Sequence, residues 1–550
     1  MTLVWESGIT LQHPDNNDPL LDLNTQPSLD LQFATSKTLD DAVSGTNLIT
    51  FSRASSGTYV DSDGLIKTSP VNLLRYSEQF DQSAWIKTSG ITLSSNVETA
   101  PDGNLTADGL TRTATNEFLY SASSVTGTLT LSCWVKVASG TATFFMQSFS
   151  GADGGQTSPT KTATTEWQRF ELTVSTTVPS NFYPCLGAIN TTFYIWGAQL
   201  QEGTTATDYI PTGATISGAP RFDHDPVTGE SLGLLIEEER TNLLTYSEQF
   251  DQSAWAVGGT VSVVPNSALS PDGLMTADQI TLGAVNSRIG QFNLITTTGQ
   301  TGTASVYLKN IDHVGVLTLR TGLAGGAAYN LNLSLTNEWV RYELTTTHNG
   351  TQNVEFHIRE TDATPSGSFL MWGAQLEVGS FPTSYIPTSG STVTRSPDLA
   401  TIEGTNFSSW YNQSEGTVFI KGSTSDIDAN TGWSSFFQAS SPNNNRISIR
   451  QGQTIITSAG TGVTLTNSAS PTVNETEEIA FAYKENDFAQ YTSYANPAFQ
   501  GTGLTPVSVD TLLIASVEGS GSVFNLNGHI TRLAYYPYRL SDTILQEITS

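Results

Sequence analysis

Basic residues are scarce in this 550-residue chain, in which 23 Lys and Arg stand against 51 Asp and Glu and the formal net charge is −28. Such a charge repels phosphate backbones and anionic membrane surfaces, so we predict no nucleic-acid partner. The sequence has no run of about 18 apolar residues, so we predict no membrane insertion. The first residues, MTLVWESGITLQ, lack the basic start and apolar run of a secretory signal. We therefore expect assembly inside a cell.

Cysteines and catalytic signatures are also scarce. Cys133 and Cys185 are the only cysteines, and their spacing fits neither a disulfide scaffold nor a metal motif. We interpret both as buried apolar residues, and a bridge between them is the alternative. The six histidines are scattered, and the sequence has no HExxH, GxSxG or Walker motif. We therefore predict that the protein is not an enzyme and has no catalytic residues and no metal site.

Three acidic clusters could carry chemistry, but we favour a structural interpretation for each. Asp223-His224-Asp225 is followed by Pro226, which favours an Asx turn. Asp61-Ser62-Asp63-Gly64 begins like a calcium loop, but Asn72 stands where the twelfth position needs Glu. Glu237-Glu238-Glu239 could supply the paired carboxylates of a glycoside hydrolase. A solvated connector, or a clamp on basic residues of a neighbour, is the interpretation that we favour.

An internal repeat is the strongest feature of the sequence. Asn72 to Trp85 reads NLLRYSEQFDQSAW, and Asn242 to Trp255 reads NLLTYSEQFDQSAW. Both copies close with Tyr-Ile-Pro-Thr, at Tyr209 to Thr212 and at Tyr385 to Thr388. Each copy has the size of an independent domain. Apolar and polar residues alternate in TLTLSCWVKV and EWQRFELTV, which predicts antiparallel sandwiches in tandem.

A third sandwich is predicted after the second copy, because GTVFIKG, NRISIRQG and EEIAFAYKEND have the patterns of strands. The predicted fold class is therefore all-β, with tandem antiparallel sandwiches and a C-terminal sandwich. The predicted division is an N-terminal segment over residues 1–70, module 1 over 71–213, a structured connector over 214–241, module 2 over 242–389 and the C-terminal sandwich over 390–550.

The repeated motifs resemble the jelly-roll carbohydrate-binding modules found on many glycan-active proteins. The resemblance rests on NLL-x-YSEQF, a WVK-type strand, EW-x-R-[FY]-ELT and the closing WGAQLE, and it covers most of each copy. It implies a structural calcium held by an early acid, here Asp81 or Asp251, and by two aspartates in the last strand. Trp196-Gly197 and Trp372-Gly373 stand at those aspartate positions. We therefore predict no cofactor, with a structural calcium as the alternative.

The C-terminal region resembles concanavalin-like or laminin-G-like sandwiches, through EGTVFIKG and GHITRLAYYPYRLSD. Together with RASSGTYVDSDGLIK, RFDHDPVTGE and the YSEQF modules, the chain resembles structural proteins of tailed bacteriophages, including tail fibres and head fibres. This implies a virion protein, trimeric by analogy, that joins other virion proteins through its N-terminal segment and adheres to host cell-surface glycans. A capsid-bound head fibre or decoration protein is one alternative, and a polysaccharide depolymerase is another.

Sugar binding requires exposed aromatic rings beside amide or acidic groups. Residues that bind a ligand should differ between the two copies more than residues of the core do. We therefore predict that most tryptophans at repeated positions belong to the structural core. These are Trp85, Trp134, Trp167, Trp196, Trp255, Trp339 and Trp372. The predicted carbohydrate-binding residues belong to the single-copy C-terminal sandwich: Trp410, Tyr411, Trp433, Tyr491 and Tyr494.

Overall fold

The structure is a computed structural model that describes residues 26–550 except 293, 295–298, 324–327, 348–353, 426–434, 442–444, 451–452, 467–471, 494 and 520–521. The described chain consists almost entirely of strands, with three short helices. Every strand pair in it is antiparallel, which confirms the all-β class.

The first half of the chain begins with short strands and continues into the long strands of module 1. Before the module lie β1 (Leu29–Leu31), α1 (Phe33–Ser36), β2 (Asp40–Asp41), β3 (Thr46–Asn47), β4 (Thr50–Ser52), β5 (Thr58–Val60) and β6 (Ile66–Thr68). The module contains β7 (Val71–Asn72), β8 (Ile86–Lys87), β9 (Ile91–Glu98), β10 (Ala107–Arg112), β11 (Leu119–Ser123), β12 (Gly127–Val137), β13 (Ala142–Ser150), β14 (Gly154–Thr157), β15 (Lys161–Ala163), β16 (Gln168–Thr176), β17 (Ser180–Gly187), β18 (Thr192–Glu202) and β19 (Ser217–Gly218).

The second half repeats this order and ends in the C-terminal sandwich. The connector contains β20 (Phe222–His224) and β21 (Ser231–Ile236). Module 2 contains β22 (Arg240–Asn242), β23 (Ala256–Gly258), β24 (Val261–Ala268), β25 (Ala277–Leu282), β26 (Arg288–Gln291), β27 (Thr301–Asn310), β28 (Leu317–Leu323), β29 (Ala328–Asn332), β30 (Val340–Thr347), β31 (Val354–Glu360), β32 (Phe369–Val378) and β33 (Val393–Arg395). The remainder contains β34 (Leu399–Glu403), α2 (Gly404–Ser408), β35 (Glu415–Thr424), β36 (Ser435–Ser440), β37 (Arg446–Arg450), β38 (Gln453–Ser458), β39 (Thr461–Thr466), β40 (Glu477–Lys484), β41 (Asp487–Thr492), β42 (Ala495–Gly501), β43 (Thr511–Ile514), β44 (Ser516–Gly519), β45 (Ser522–Asn525), β46 (Gly528–Tyr536) and α3 (Asp542–Glu547).

Each module is a sandwich of two sheets. In module 1 the sheet β16-β12-β18-β10-β9 faces the sheet β14-β13-β17-β11-β8, and in module 2 the sheet β24-β25-β32-β27-β30 faces the sheet β23-β26-β31-β28-β29. Alternate residues of the central strand β12, such as Leu131, Cys133 and Val135, point into the core. Cys133 and Cys185 are both free and buried, as predicted.

A buried asparagine explains why both copies begin with NLL and close with YIPT. The Asn72 amide nitrogen donates to the backbone oxygens of Ala198 and Ile210, at 3.1 and 2.9 Å. Its side-chain oxygen accepts from the backbone amides of Leu74 and Leu200. Asn242 makes the same four bonds in module 2. The side chain thus ties the entry of each module to its last strand and its closing segment.

The C-terminal sandwich takes strands from three distant parts of the chain. Its strand β46 pairs with β1 of the N-terminal segment and with β21 of the connector, and β34 pairs with β4. Leu31, Leu234 and Phe437, one from each part, share a single core. We call this sandwich, made of β1–β4, β20–β21 and β34–β46, the trunk. The N-terminal segment and the structured connector therefore both supply strands to the trunk, which local patterns do not predict because they identify strands but not their distant partners.

Both modules are insertions in loops of the trunk. The entry strand β7 of module 1 pairs with its exit strand β19, and β22 pairs with β33 in module 2. Where module 1 leaves the trunk, the Ala219 amide donates to the Pro70 carbonyl at 2.9 Å. Adjacent ends of this kind allow a domain to be inserted without disturbing its host.

This arrangement predicts that module 1 can be removed without unfolding the trunk. Deleting residues 71–218 and joining Pro70 to Ala219 through one glycine is expected to give a soluble protein that retains a cooperative thermal transition, measured by circular dichroism. As a control, deleting residues 220–238 removes β20 and β21 from the trunk sheet and should abolish folding. An insoluble or unfolded product of the first deletion would contradict the insertion architecture.

Candidate functional site: an interdomain cleft

Two of the five predicted sugar-binding aromatics are buried in the trunk. Trp410 is 4% exposed and Tyr411 is 9% exposed. Their rings pack on Tyr535, with centroid distances of 5.0 and 5.3 Å, after the short helix α2 turns them towards the sheet. The prediction that they form a sugar platform is corrected, because neither ring offers a face to a ligand.

The other three predicted aromatics have different positions. Tyr491, on β41, is half-buried and packs against the small apolar cluster beneath α3. Trp433 and Tyr494 lie outside the described residues. The assignment of these three residues to sugar binding stays a prediction.

A buried ionic cluster lies where the two modules join the trunk. It contains Arg53, Arg221, Glu237, Arg395 and Asp398, each with a side chain at most 6% exposed. Asp398 accepts from Arg53 at 2.8 Å and from Arg221 at 2.5 Å, and Arg221 also pairs with Glu237 at 2.7 Å. We call this group the junction cluster. Each member lies close to a point where the chain leaves or re-enters the trunk, so the cluster fixes the modules at their bases.

The junction cluster has three arginines and two acids, and backbone carbonyl oxygens accept further hydrogen bonds from the arginines. Arg53 donates to the carbonyl oxygens of Ser55 and Ala219, at 3.0 and 2.9 Å, and Arg395 donates to that of Glu238 at 2.7 Å. Burial alone would raise the pKa of Asp398, but the neighbouring arginines outweigh burial and hold this pKa below its usual range. The carboxylate is therefore charged, as a paired buried acid must be.

Glu237 links the junction cluster to a cleft beside module 2. Its carboxylate accepts from the backbone amide and from the hydroxyl of Ser384, both at 2.6 Å. This fixes the segment that leads into the closing YIPT motif of module 2. The clamp interpretation of the acidic run thus holds for Glu237, with the correction that its basic partners belong to the same chain.

The cleft has a volume of about 740 Å³ and lies between module 2, the β5–β6 hairpin and the trunk. This volume is in the range of small-molecule sites in proteins. The lining side chains with polar or aromatic groups include Tyr59, Asp223, Tyr307, Arg341, Glu343, Thr345, Ser384, Asn474 and His529. They come from the N-terminal segment, the connector, module 2 and the C-terminal region, and only the docking of module 2 on the trunk brings them together.

One wall of the cleft contains the pair Asp223 and His529. Asp223 Oδ2 lies 2.9 Å from His529 Nε2, and Oδ1 accepts from the Val60 amide at 2.6 Å. The next acid, Asp225, accepts from two backbone amides within its own turn, which confirms the predicted Asx turn. Both oxygens of Asp223 are therefore already engaged, Oδ1 in holding the hairpin β5–β6 and Oδ2 in pairing with His529 within the trunk.

The opposite wall is the outer face of β30. Arg341 lies on this face with its guanidinium 5.6 Å from the centre of the Tyr307 ring, and it donates to the Thr383 carbonyl at 2.9 Å. Glu343 follows two residues later on the same face, with an exposed side chain. Partial desolvation in the cleft raises the pKa of the Glu343 carboxyl, and Arg341 opposes this rise.

Groups on the remaining sides complete a polar lining that contains two partly exposed rings, Tyr59 and Tyr307. Tyr59 is half-buried, and its burial together with the nearby Asp61 and Asp223 raises the pKa of its phenol. Asn474 is exposed at the rim, where its Oδ1 accepts from Ser425 at 2.9 Å and its amide nitrogen remains as a donor. Rings beside a carboxylate and an amide can stack on a pyranose and bond its hydroxyl groups.

The sister strand in module 1 has the same residues, but they do not line this cleft. The outer face of β16 presents Arg169 and Glu171, the counterparts of Arg341 and Glu343 in the repeated motif EW-x-R-x-ELT. The cleft that contains Glu343 is bounded by trunk residues, and Glu171 does not line it. Sequence reasoning treated repeated positions as framework, so it could not find a site that arises from docking.

The residues present do not fit the calcium site implied by the resemblance. Asp81 and Asp251 are exposed, and at the aspartate positions of the last strand the Trp196 indole donates to Thr106 at 3.1 Å. Within the described ranges, no group of three His, Cys, Asp or Glu side chains is placed to hold a metal ion. No helix in the described part of the chain is long and apolar enough to cross a membrane.

No protein-family model and no curated protein matches the chain. Among solved structures, it is similar to the tandem CBM22 domains of Xyn10C from Paenibacillus barcinonensis, with 12% identity, a TM-score of 0.23 and coverage of 56% of this chain and 97% of that one. It is also similar to the tailspike protein 4 of bacteriophage CBA120, with 16% identity, a TM-score of 0.22 and coverage of 25% and 21%. A third is the CBM40 of the Ruminococcus gnavus IT-sialidase, with 13% identity, a TM-score of 0.21 and coverage of 25% and 84%.

Proposed function

We propose that the protein is a non-enzymatic glycan-binding protein whose saccharide site is the cleft between module 2 and the trunk. The observation that carries this proposal is the lining of the cleft, to which Tyr59 and Tyr307 contribute aromatic rings and Glu343 and Asn474 contribute polar groups. Aromatic rings supply apolar contact for the faces of a sugar, and the carboxylate and amide supply hydrogen bonds. A neutral or amine-bearing sugar suits the exposed Glu343 carboxylate better than an anionic sugar does.

A hydrolase would need two free carboxyl groups on either side of the scissile bond. The acids of the cleft are Asp223, Glu237 and Glu343. Asp223 is held by Val60 and His529, and Glu237 by arginines and Ser384. Only Glu343 remains to act on a substrate, so the chemistry of the cleft favours binding over the depolymerase alternative.

We further propose that the chain acts in a bacteriophage virion as an adhesive fibre for host cell-surface glycans. This part rests on the motifs that resemble phage fibre proteins and on the rigid attachment of both modules to the trunk by the junction cluster. Several copies on one particle would strengthen weak individual sites. The same rigidity favours a second candidate function, a capsid-bound head fibre or decoration protein.

The cleft predicts a specific loss of glycan binding in one variant. Glu343→Gln removes the exposed carboxylate and is expected to weaken glycan binding at least tenfold, or about 1.4 kcal/mol, which is the scale of a hydrogen bond to a charged group. The measurement is a glycan array followed by calorimetric titration of the full chain with the strongest glycan. Reducing-end release is followed in parallel.

The matched control is Glu171→Gln, which makes the same change on the sister strand of module 1. It should bind as the unaltered chain does, because Glu171 does not line the cleft. Equal losses in both variants, or no loss in either, would contradict the assignment of the cleft. Failure of the full chain to bind any glycan, or release of reducing ends, would overturn the proposed function itself.

A further inference from the structure

The two modules present equivalent aromatic faces on the outer side of one sheet. In module 1, Trp134, Trp167, Trp196 and Tyr209 form a cluster with two alanines. In module 2 the counterparts Tyr307, Trp339, Trp372 and Tyr385 form the same kind of cluster. Trp134 pairs with Trp196 across β12 and β18, and Tyr307 pairs with Trp372 across β27 and β32. The faces therefore correspond residue by residue.

The hairpin β5–β6 covers the face of module 2. Ile66, which is 8% exposed, is part of the aromatic cluster itself. Its amide donates to the Pro271 carbonyl at 3.0 Å, and a Cβ added to Gly273 would lie 3.2 Å from a Leu65 methyl group. Thr58 donates to the Tyr385 carbonyl at 2.5 Å. The contact combines apolar packing with backbone hydrogen bonds, as in other cases of strand recognition.

The face of module 1 has no such cover among the described residues. Pro101, the counterpart of the buried Pro271, is exposed. A Cβ added to Gly103 would meet nothing within 4 Å, in contrast to Gly273. Tyr209 is only half-buried, whereas its counterpart Tyr385 is 3% exposed. The groups that receive the hairpin in module 2 are thus present and accessible in module 1.

We propose that this uncovered face of module 1 binds a β-hairpin from a partner protein. The hairpin would resemble the segment from Asp61 to Thr68, with a tight turn followed by Gly-Leu-Ile. The segment's own turn is stabilised by Asp61 Oδ1, which accepts from the amides of Asp63 and Leu65 at 3.0 and 2.9 Å. An aliphatic tip fits between the tryptophans, and the turn lets its backbone reach the Pro101 carbonyl.

The occupant is a partner protein, since the part of the chain that the structure describes has two acceptor faces and one hairpin of this kind. That hairpin is held on module 2 and also bonds the trunk through Val60 and Asp223. A second copy could fill the face of module 1 only by exposing its own module 2. Asp102 and Asp208, which are exposed beside Pro101 and Tyr209, further favour a hairpin with a basic residue near its tip, as Lys67 follows Ile66 here.

The test uses a cyclised synthetic peptide with the sequence from Gly57 to Pro70, titrated into the full chain and followed by calorimetry. One peptide is expected to bind per chain, with affinity in the micromolar range. A peptide with the Ile66→Asp change should not bind, because the charge would be buried among aromatic rings. Absence of binding at millimolar peptide, or equal binding of both peptides, would overturn the proposal.

Matched tryptophan variants locate the bound peptide. Trp167→Ala on the exposed face is expected to weaken peptide binding at least tenfold, while Trp339→Ala on the covered face leaves it unchanged. The opposite pattern would mean that the peptide displaces the chain's own hairpin, which overturns the assignment to module 1. Light scattering of the full chain measures its oligomeric state as a final test. A dimer that Trp167→Ala dissociates would identify a second copy as the occupant and overturn the partner assignment.

Discussion

Replacing Asp398 with Asn is expected to lower the free energy of unfolding by about 3–5 kcal/mol, the usual result when a buried ion pair loses one partner. Asp398 is completely buried and accepts from Arg53, Arg221 and the Glu237 amide. Asn keeps the size of the side chain but leaves two buried guanidinium groups without a counter-charge. Urea denaturation followed by circular dichroism measures the change.

The matched control is Asp487→Asn, which removes a surface carboxylate that lies 2.9 Å from Arg539 and is 53% exposed. Exposed pairs contribute about 0–1 kcal/mol, so this variant should unfold almost as the unaltered chain does. If Asp398→Asn lowers stability no more than the control, the junction cluster does not hold the trunk and the modules together.

Acidification from pH 6.5 to 4.5 is expected to destabilise module 2 through His357 by about 2–3 kcal/mol, at 1.36 kcal/mol per pH unit. His357 is 3% exposed, and burial together with Arg320, Arg288 and Arg359 lowers its pKa to about 3. The unfolded chain protonates this imidazole below about pH 6.5, while the folded chain does not. The contribution of the neutral His357 imidazole to the free energy of unfolding is therefore complete above about pH 6.5. It is lost as the pH falls towards the folded-state pKa of about 3.

His357→Phe keeps a ring at this position without the titration, so its urea midpoint should change less between these pH values than that of the unaltered chain. Tyr183 is the counterpart of His357 on the sister strand β17, and Tyr183→Phe is the matched control that should retain the full pH dependence. An equal pH dependence in the unaltered chain and His357→Phe would show that this imidazole does not control the acid stability of module 2.

The sequence predicted the elements that depend on local pattern and repetition. The alternation in β12 and β16, and the recurrence of Asn72 at Asn242, predicted two sister sandwiches, and both are present. The prediction that the repeated tryptophans are framework is confirmed for the buried Trp85, Trp196, Trp255 and Trp372. Trp134, Trp167 and Trp339 are half-buried instead and lie at the margins of the outer aromatic clusters, packed against the buried Trp196 and Trp372.

The division of the chain and the site depend on contacts between residues far apart in sequence. Arg53 and Asp398 are bonded directly, and β1 lies beside β46 at the other end of the chain. A sequence pattern within a short stretch of residues does not predict contacts between residues that lie hundreds of positions apart. Trp410 and Tyr411 were predicted to bind sugar because their region is not repeated in the chain. The absence of a second copy does not indicate whether a ring points to solvent or to the core.

Hydrogen–deuterium exchange of the full chain, with and without the strongest array glycan, tests whether the cleft between module 2 and the trunk is the glycan site. We expect slower exchange confined to the cleft, in peptides that contain Tyr59, Glu343, the segment from Ser380 to Tyr385, Asn474 and His529. Protection confined to module 1 or to the strand that contains Tyr491, or the absence of any protection, would contradict the assignment of the cleft as the glycan site.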